Sequence, residues 1–118
     1  MARKFALKKP EPKESDIQRT ICEYLSAKRH FFWRANNAPI WQPTGGGGGF
    51  FRAMSKWSIK GLPDIQVLTD GGYAVFLEVK RPSGKQSPEQ KEFEERCKKI
   101  GAEYYVVRSI DDCQEIGL

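Results

Sequence analysis

Two short stretches constrain this chain most: Gly61-Leu62-Pro63-Asp64, and Leu77-Glu78-Val79-Lys80 a little further on. Asp64 to Leu68 is strand-like, and Tyr73 to Val79 more so. Between them lies Asp70-Gly71-Gly72, where glycine accepts the positive φ that a tight hairpin needs. If those three residues form the loop, Thr69 pairs with Tyr73, and counting back along both strands sets Asp64 opposite Glu78. Side chains alternate faces along a strand, so Glu78 and Lys80 share a face and Val79 points the other way. The spacing therefore predicts a β-hairpin with Asp64, Glu78 and Lys80 side by side.

Two carboxylates facing each other across a sheet repel, and something has to offset that cost. A divalent cation such as Mg²⁺ does so, because it takes hard oxygen ligands from carboxylates and fills its remaining positions with water and phosphate. A lysine beside such a site can hold a water or a developing negative charge. Together these are the parts needed for metal-assisted phosphodiester hydrolysis. The plainer alternative makes Asp64 a strand-start residue and Glu78 with Lys80 an exposed ion-pair face. The setting favours chemistry, because the charges emerge from a very apolar strand of Val75, Phe76, Leu77 and Val79.

A length of 118 residues suits one domain with a single sheet and a modest core. Twenty basic against fifteen acidic residues leave a net charge of +5, which suits a polyanionic partner. Cys22, Cys97 and Cys113 have no paired metal spacing, and their odd number argues against a disulfide framework, so a reducing, cytoplasmic setting is expected. Cys22 and Cys97 fall on apolar helix faces, and His30 follows Lys28-Arg29 at a helix end, where a cation complements the dipole. No signal peptide or membrane span is evident.

Residues 1–13 are basic and proline-containing and read as a flexible arm, either solvated or in contact with phosphates. Residues 14–118 read as one domain. Glu14 to Lys28 is a helix with Ile17, Ile21, Tyr24 and Leu25 on one stripe, and Ser15 with Gln18 has the capping-box pattern. A first strand over Phe31–Ala35 is broken by Asn36-Asn37-Ala38-Pro39. Gly45 to Gly49 is a run of five glycines without P-loop residues after it, read as a flexible loop able to close over a substrate. Trp41, Phe50, Phe51 and Trp57 flank it, near Arg52, Lys56 and Lys60. They can stack on unpaired bases, or else belong to the core or a subunit contact. Phe50 to Met54 is a candidate short strand. Arg81 to Gln86 is a basic loop, with Arg81 and Lys85 placed to hold strand phosphates. Ser87, Pro88 and Gln90 cap the next helix, with Phe93, Cys97 and Ile100 expected in the core and Gly101 ending it. Tyr104 to Arg108 is a strand, and Ser109 opens a short last helix.

Pro63-Asp64 followed by Glu78-Val79-Lys80 resembles the PD-(D/E)XK nuclease superfamily. The flanking segments Glu14-Ser15-Asp16-Ile17-Gln18, Trp33-Arg34-Ala35-Asn36-Asn37, Lys60-Gly61-Leu62-Pro63-Asp64, Glu78-Val79-Lys80-Arg81 and Ser87-Pro88-Glu89-Gln90 resemble the successive motifs of the VRR-NUC family, from about Glu14 to Asp112. The resemblance implies an α/β, restriction-endonuclease-like αβββαβ core, a central mixed sheet flanked by helices. It implies Mg²⁺ or Mn²⁺ held by Glu14, Asp64, Glu78 and the Val79 carbonyl. Lys80 and Gln90 join Asp64 and Glu78 in catalysis, and Arg34, Asn36, Asn37 and Lys60 contact nucleic acid beside Arg81 and Lys85.

As a bare domain the chain resembles the stand-alone VRR-NUC proteins of viruses and bacteria, which implies a virus-encoded protein in a bacterial host as one source. The implied activity is a homodimeric Holliday-junction resolvase acting in DNA repair, since a four-way junction is two-fold symmetric and needs two cuts. The alternatives are a flap or single-strand-directed nuclease, and a non-catalytic DNA-binding module. The paired acids argue against the last, because binding a polyanion does not require them.

Overall fold

The computed structural model describes residues 10–35, 40–52 and 56–118, with nothing stated for the side chains of Ile40 and Arg52. Helix α1 spans Glu14–Ala27, β1 Phe31–Arg34, β2 Ile40–Pro43, β3 Gly49–Arg52, β4 Ile65–Thr69, β5 Tyr73–Val79, α2 Pro88–Ile100, β6 Glu103–Val107 and α3 Ile110–Glu115. Strands β1, β4, β5 and β6 form one sheet in that order. The first three run antiparallel to their neighbours, whereas β6 lies parallel to β5. That parallel pairing follows from the α2 crossover, since a parallel neighbour cannot be reached by a tight turn. The result is a mixed α/β fold, a mixed sheet flanked by helices.

The hairpin register is the expected one. Thr69 pairs with Tyr73 and Ile65 with Leu77, so the next residues out are Asp64 and Glu78. Gly71 and Gly72 both take positive φ in the turn (87° and 80°). Alternation then divides the two faces. Ile65, Val67, Val75, Leu77 and Val79 pack with Ile17, Ile21 and Leu25 of α1, together with Val107, Cys113 and Leu118. On the other face Phe76 meets Phe93 of α2 edge-on at 5.4 Å, and Phe93 meets Tyr104 at 6.1 Å.

Several local expectations are corrected. Lys13, not Ser15, is the N-cap of α1; its side chain has no acceptor and makes no cap bond, while its carbonyl accepts the amides of Asp16 and Ile17. Ile100 is 82% exposed, since α2 ends there and its last turn overhangs the sheet. Of the arm expected over residues 1–13, residues 1–9 lie outside the described residues, and Glu11 is hydrogen-bonded to Ser83 rather than free. Ala53 and Met54 of the candidate strand over 50–54 likewise lie outside them.

Gly45 to Gly48 form the loop of a hairpin, as expected of the glycine run, and Gly49 enters a strand. β2 and β3 pair antiparallel as a separate two-stranded hairpin, with Trp41 opposite Phe51 and Pro43 opposite Gly49. A Cβ on Gly49 would lie 2.3 Å from the Trp41 ring, so this glycine lets the indole lie flat across the strand. Trp41 and Phe51 touch edge-on at 5.1 Å, yet both stay largely exposed, as do Phe50 and Trp57. None of the four is a core residue.

Gly61 joins the hairpin to α2. Its φ is +77°, and a Cβ there would lie 2.4 Å from the Glu89 carbonyl oxygen and 2.8 Å from the Gln90 nitrogen. Gly61→Ala is expected to destabilise the fold by about 1–3 kcal/mol from the backbone conformation alone, with the backbone clash adding to it. A denaturant titration checks this, and an unchanged midpoint would contradict the packing.

Candidate active site

The sequence places two acids at one end of a hairpin, and the fold adds a third. Glu14, Asp64 and Glu78 each offer a carboxylate oxygen, all within 4.8 Å of one another. Glu78 lies in β5, and Asp64 in the bend that leads into the neighbouring β4. Glu14 comes from the first turn of α1, the helix on the opposite face of the sheet. The Val79 amide donates to Asp64 Oδ2 at 2.8 Å, which fixes that carboxylate against β5.

Glu78 is 1% exposed and Lys80 8%, and both sit on the α2 side of β5. Glu78 Oε1 accepts from Gln90 Nε2 at 2.8 Å and lies 3.5 Å from Lys80 Nζ. Its Oε2 is buried without a hydrogen-bond partner among the described residues. Gln90 does two jobs at once. Its Oε1 accepts the Ser87 amide at 2.8 Å while its own amide donates to Ser87 Oγ, completing the capping box. The box thereby sets the Nε2 towards Glu78. In one rotamer Gln90 thus both caps its helix and holds Glu78 Oε1.

Burial pushes the Glu78 carboxyl up to about 8, and the negative charge of Asp64 adds to the rise, while Lys80 opposes it. A protein does not keep such a group without a use for it or a partner to offset it. The donor set fits a hard divalent cation: three carboxylates from three separate segments, one with a buried oxygen that has no hydrogen-bond partner among the described residues.

The other expected site residues are spread more widely. Arg34 is exposed at the end of β1, and the next amide, that of Ala35, donates to the Asp64 carbonyl at 2.9 Å. Its charge and that of Asp64 are both felt by the Cys22 thiol, which burial pushes up. Cys22 is half-buried against the core on the apolar face of α1, as expected, and close enough to Arg34 and Asp64 to feel both charges. Asn36 and Asn37 lie outside the described residues. Lys60 lines a cleft against α2 with Glu89, Glu92 and Arg96. Lys85 is exposed on the loop after β5, as is Arg81, whose carbonyl accepts from Arg108 Nη1 at 2.7 Å. Arg108, Ser83 and Glu11 shape this loop, and sequence reading singled out none of them. Their contacts span 24 to 72 residues and leave no local pattern.

Glu78 makes the metal-free stability depend on pH in a defined direction. Its folded value is raised above the ordinary 4.5, so between about 4.5 and about 8 the folded chain holds a proton that the unfolded chain has lost. This contribution is full at the acid end and is lost as pH rises through about 8. Melting curves in EDTA are expected to show that loss, Mg²⁺ to restore stability at the alkaline end, and Glu78→Gln to flatten the slope. An unchanged slope in Glu78→Gln would contradict the assignment.

The structure is similar to a solved structure described as a VRR_NUC domain, with a TM-score of 0.59 and 24% identity over 87% of this chain and 91% of that one. No family model matches the sequence, and no curated protein sequence matches it significantly. The order of elements, the mixed sheet and the carboxylates at its end are thus found in a chain that has the fold of a VRR_NUC domain.

Proposed function

We propose that this chain is a VRR-NUC nuclease of the PD-(D/E)XK type, a Mg²⁺- or Mn²⁺-dependent endodeoxyribonuclease that hydrolyses phosphodiester bonds in branched DNA. The observation that carries this reading is the convergence of Glu14, Asp64 and Glu78, with Lys80 and Gln90 both on one oxygen of Glu78. The fold likeness supports it.

A divalent ion held by Glu14, Asp64 and Glu78, with the Val79 carbonyl as a further ligand, would supply positive charge to the phosphodiester and lower the pKa of the attacking water. The chain's own residues set the stage for that. Gln90 holds Glu78 in one orientation. The Val79 amide does the same for Asp64. Lys80, buried with its Nζ 3.5 Å from Glu78 Oε1, orients the water or neutralises charge that develops on the phosphate. Arg34, Lys60, Arg81 and Lys85, with Asn36 and Asn37, belong to the DNA-contacting surface of this proposal.

The substrate we favour is the four-way junction, cut by a homodimer. A symmetric junction needs two cuts, and two copies of a one-site domain provide them. A single-strand or flap substrate is the second reading. The exposed Trp41–Phe51 pair on its own hairpin favours it, because every unpaired base offers a face for stacking.

The test is cleavage of matched substrates (four-way junction, 5′ flap, splayed arm, duplex and single strand) in Mg²⁺, Mn²⁺ or EDTA. Paired symmetric nicks on the junction support the resolvase, flap cutting the second reading, and no cutting by folded protein overturns the nuclease. Lys80→Ala is expected to lower the cleavage rate at least about 100-fold while leaving DNA affinity within about two-fold of wild type. Full activity in that variant would remove Lys80 from the mechanism.

A further inference from the structure

The loop that follows the site strand already holds an anion, and the chain itself supplies it. Glu11 Oε1 accepts the Ser83 backbone amide at 2.5 Å, and Glu11 Oε2 accepts the Ser83 hydroxyl at 2.7 Å. Arg81 Nε lies 3.9 Å from the same Oε2. One carboxylate thus meets a backbone N–H, a hydroxyl and a guanidinium, the three donor types with which proteins most often hold a nucleic-acid phosphate.

The loop is built to present those donors. Arg108 Nη1 donates to the Arg81 carbonyl at 2.7 Å and to the Gly84 carbonyl at 2.9 Å. The Gly84 amide closes a turn onto the Arg81 carbonyl at 2.9 Å. Arg108 is itself fixed, its amide donating to Asp112 Oδ2 at 2.7 Å. The carbonyls of the loop are therefore engaged from beneath, and the Ser83 donors are left for whatever lies above. The site favours negative charge: the two Ser83 hydrogen bonds, helped by Arg81 and Arg108, hold the Glu11 carboxyl below its ordinary value. Glu11 is in an extended segment just before α1, and no other contact of that carboxylate is needed to explain its place.

We infer that Ser83 and Arg81 form a binding site for a backbone phosphate of the nucleic-acid strand, and that Glu11 occupies it as an internal stand-in that the strand displaces. The position suits this. Ser83 is three residues beyond Lys80, so the two lie within about 11 Å by chain length, a span of about three nucleotides along one strand. A backbone phosphodiester carries the same single negative charge as the Glu11 carboxylate, spread over two non-bridging oxygens that can accept all three donors. The strand pays for expelling Glu11, so the arm weakens non-cognate contacts and holds the loop in its binding shape when no strand is present. This inference rests on the reading of the chain as a nuclease.

An arm that covers the site about 70–90% of the time lowers apparent affinity about 3- to 10-fold. Glu11→Gln in the full chain is therefore expected to bind a fluorescent oligonucleotide tighter by about that factor in Ca²⁺, which stops cleavage. Ser83→Ala added to Glu11→Gln is expected to remove most of the gain. In the wild type, the Ser83 and Glu11 amide resonances should shift together as oligonucleotide is added. Unchanged or weaker binding by Glu11→Gln, or Ser83 and Glu11 resonances that do not respond to oligonucleotide, would overturn the proposal and leave Glu11 as a strap on the loop. Saturation of the Ser83 resonance in Glu11→Gln by inorganic phosphate, with no response to oligonucleotide, would assign the site to free phosphate and overturn it as a strand site. Cleavage is read separately. Tighter binding by Glu11→Gln in a chain that cuts no substrate would remove the nuclease and keep the phosphate site, whereas cutting with unchanged Glu11→Gln affinity would do the reverse.

Discussion

Glu78 is the group on which the rest of this structure turns. It is almost wholly buried, faces Asp64, and has one oxygen without a hydrogen-bond partner among the described residues. A carboxylate in such a place is costly to ionise, and the fold spends several of its features on holding it there. β5 must be apolar enough to carry it inside, which explains Val75, Leu77 and Val79 on the face against α1. α2 must begin where its third residue can reach it, which the Ser87–Gln90 box determines. Gly61 must lack a side chain so that the segment leading to Asp64 can lie against the first turn of the same helix. The helix start, the hairpin and the buried acid are thus one arrangement.

The two faces of the sheet divide the work. The α1 face is a continuous apolar layer and holds the domain together. The α2 face carries the aromatic contacts of Phe76, Phe93 and Tyr104 at one end and the charged groups at the other. Glu14 crosses between layers, since α1 packs on the first face but starts beside the acids of the second. A helix N-terminus is also where an acidic residue is well tolerated, so Glu14 suits its local position as well as the cluster. Beyond the acids the chain turns into a loop whose carbonyls are tied down by Arg108 and whose donors meet Glu11. The buried acid and the donors that meet Glu11 thus lie on a single stretch, Glu78 to Ser83.

Much of this was legible in the sequence because it depends on short-range geometry. The Asp70-Gly71-Gly72 turn sets the register, and the register sets Asp64 against Glu78 and both beside Lys80. The Ser-Pro-Glu-Gln start of α2 and the Gly101 end are equally local signals. The errors have physical reasons too. Ser15 with Gln18 imitates a capping box two residues inside the true start, because a helix start depends on where the preceding carbonyl lies as well as on residue type. Ile100 has the spacing of a core residue but sits where the helix has outrun the sheet. The glycine run concealed a hairpin, since no periodicity survives five glycines and only the pairing of Trp41 with Phe51 reveals it.

By itself the sequence determined the elements outside the Ile40–Arg52 hairpin, the register of the central hairpin, and two acids and a lysine on one face. Strand alternation and turn chemistry act over a few residues, and a single chain carries that information openly. Tertiary structure decided the rest. It brought Glu14 to the pair across 50 residues or more, buried Glu78 and so raised its carboxyl, and let Gln90 serve the cap and the site in one rotamer. It also placed Glu11 on Ser83 and Arg108 beneath the loop. Those contacts depend on how layers stack and how far each element extends, and no local run of residues records either.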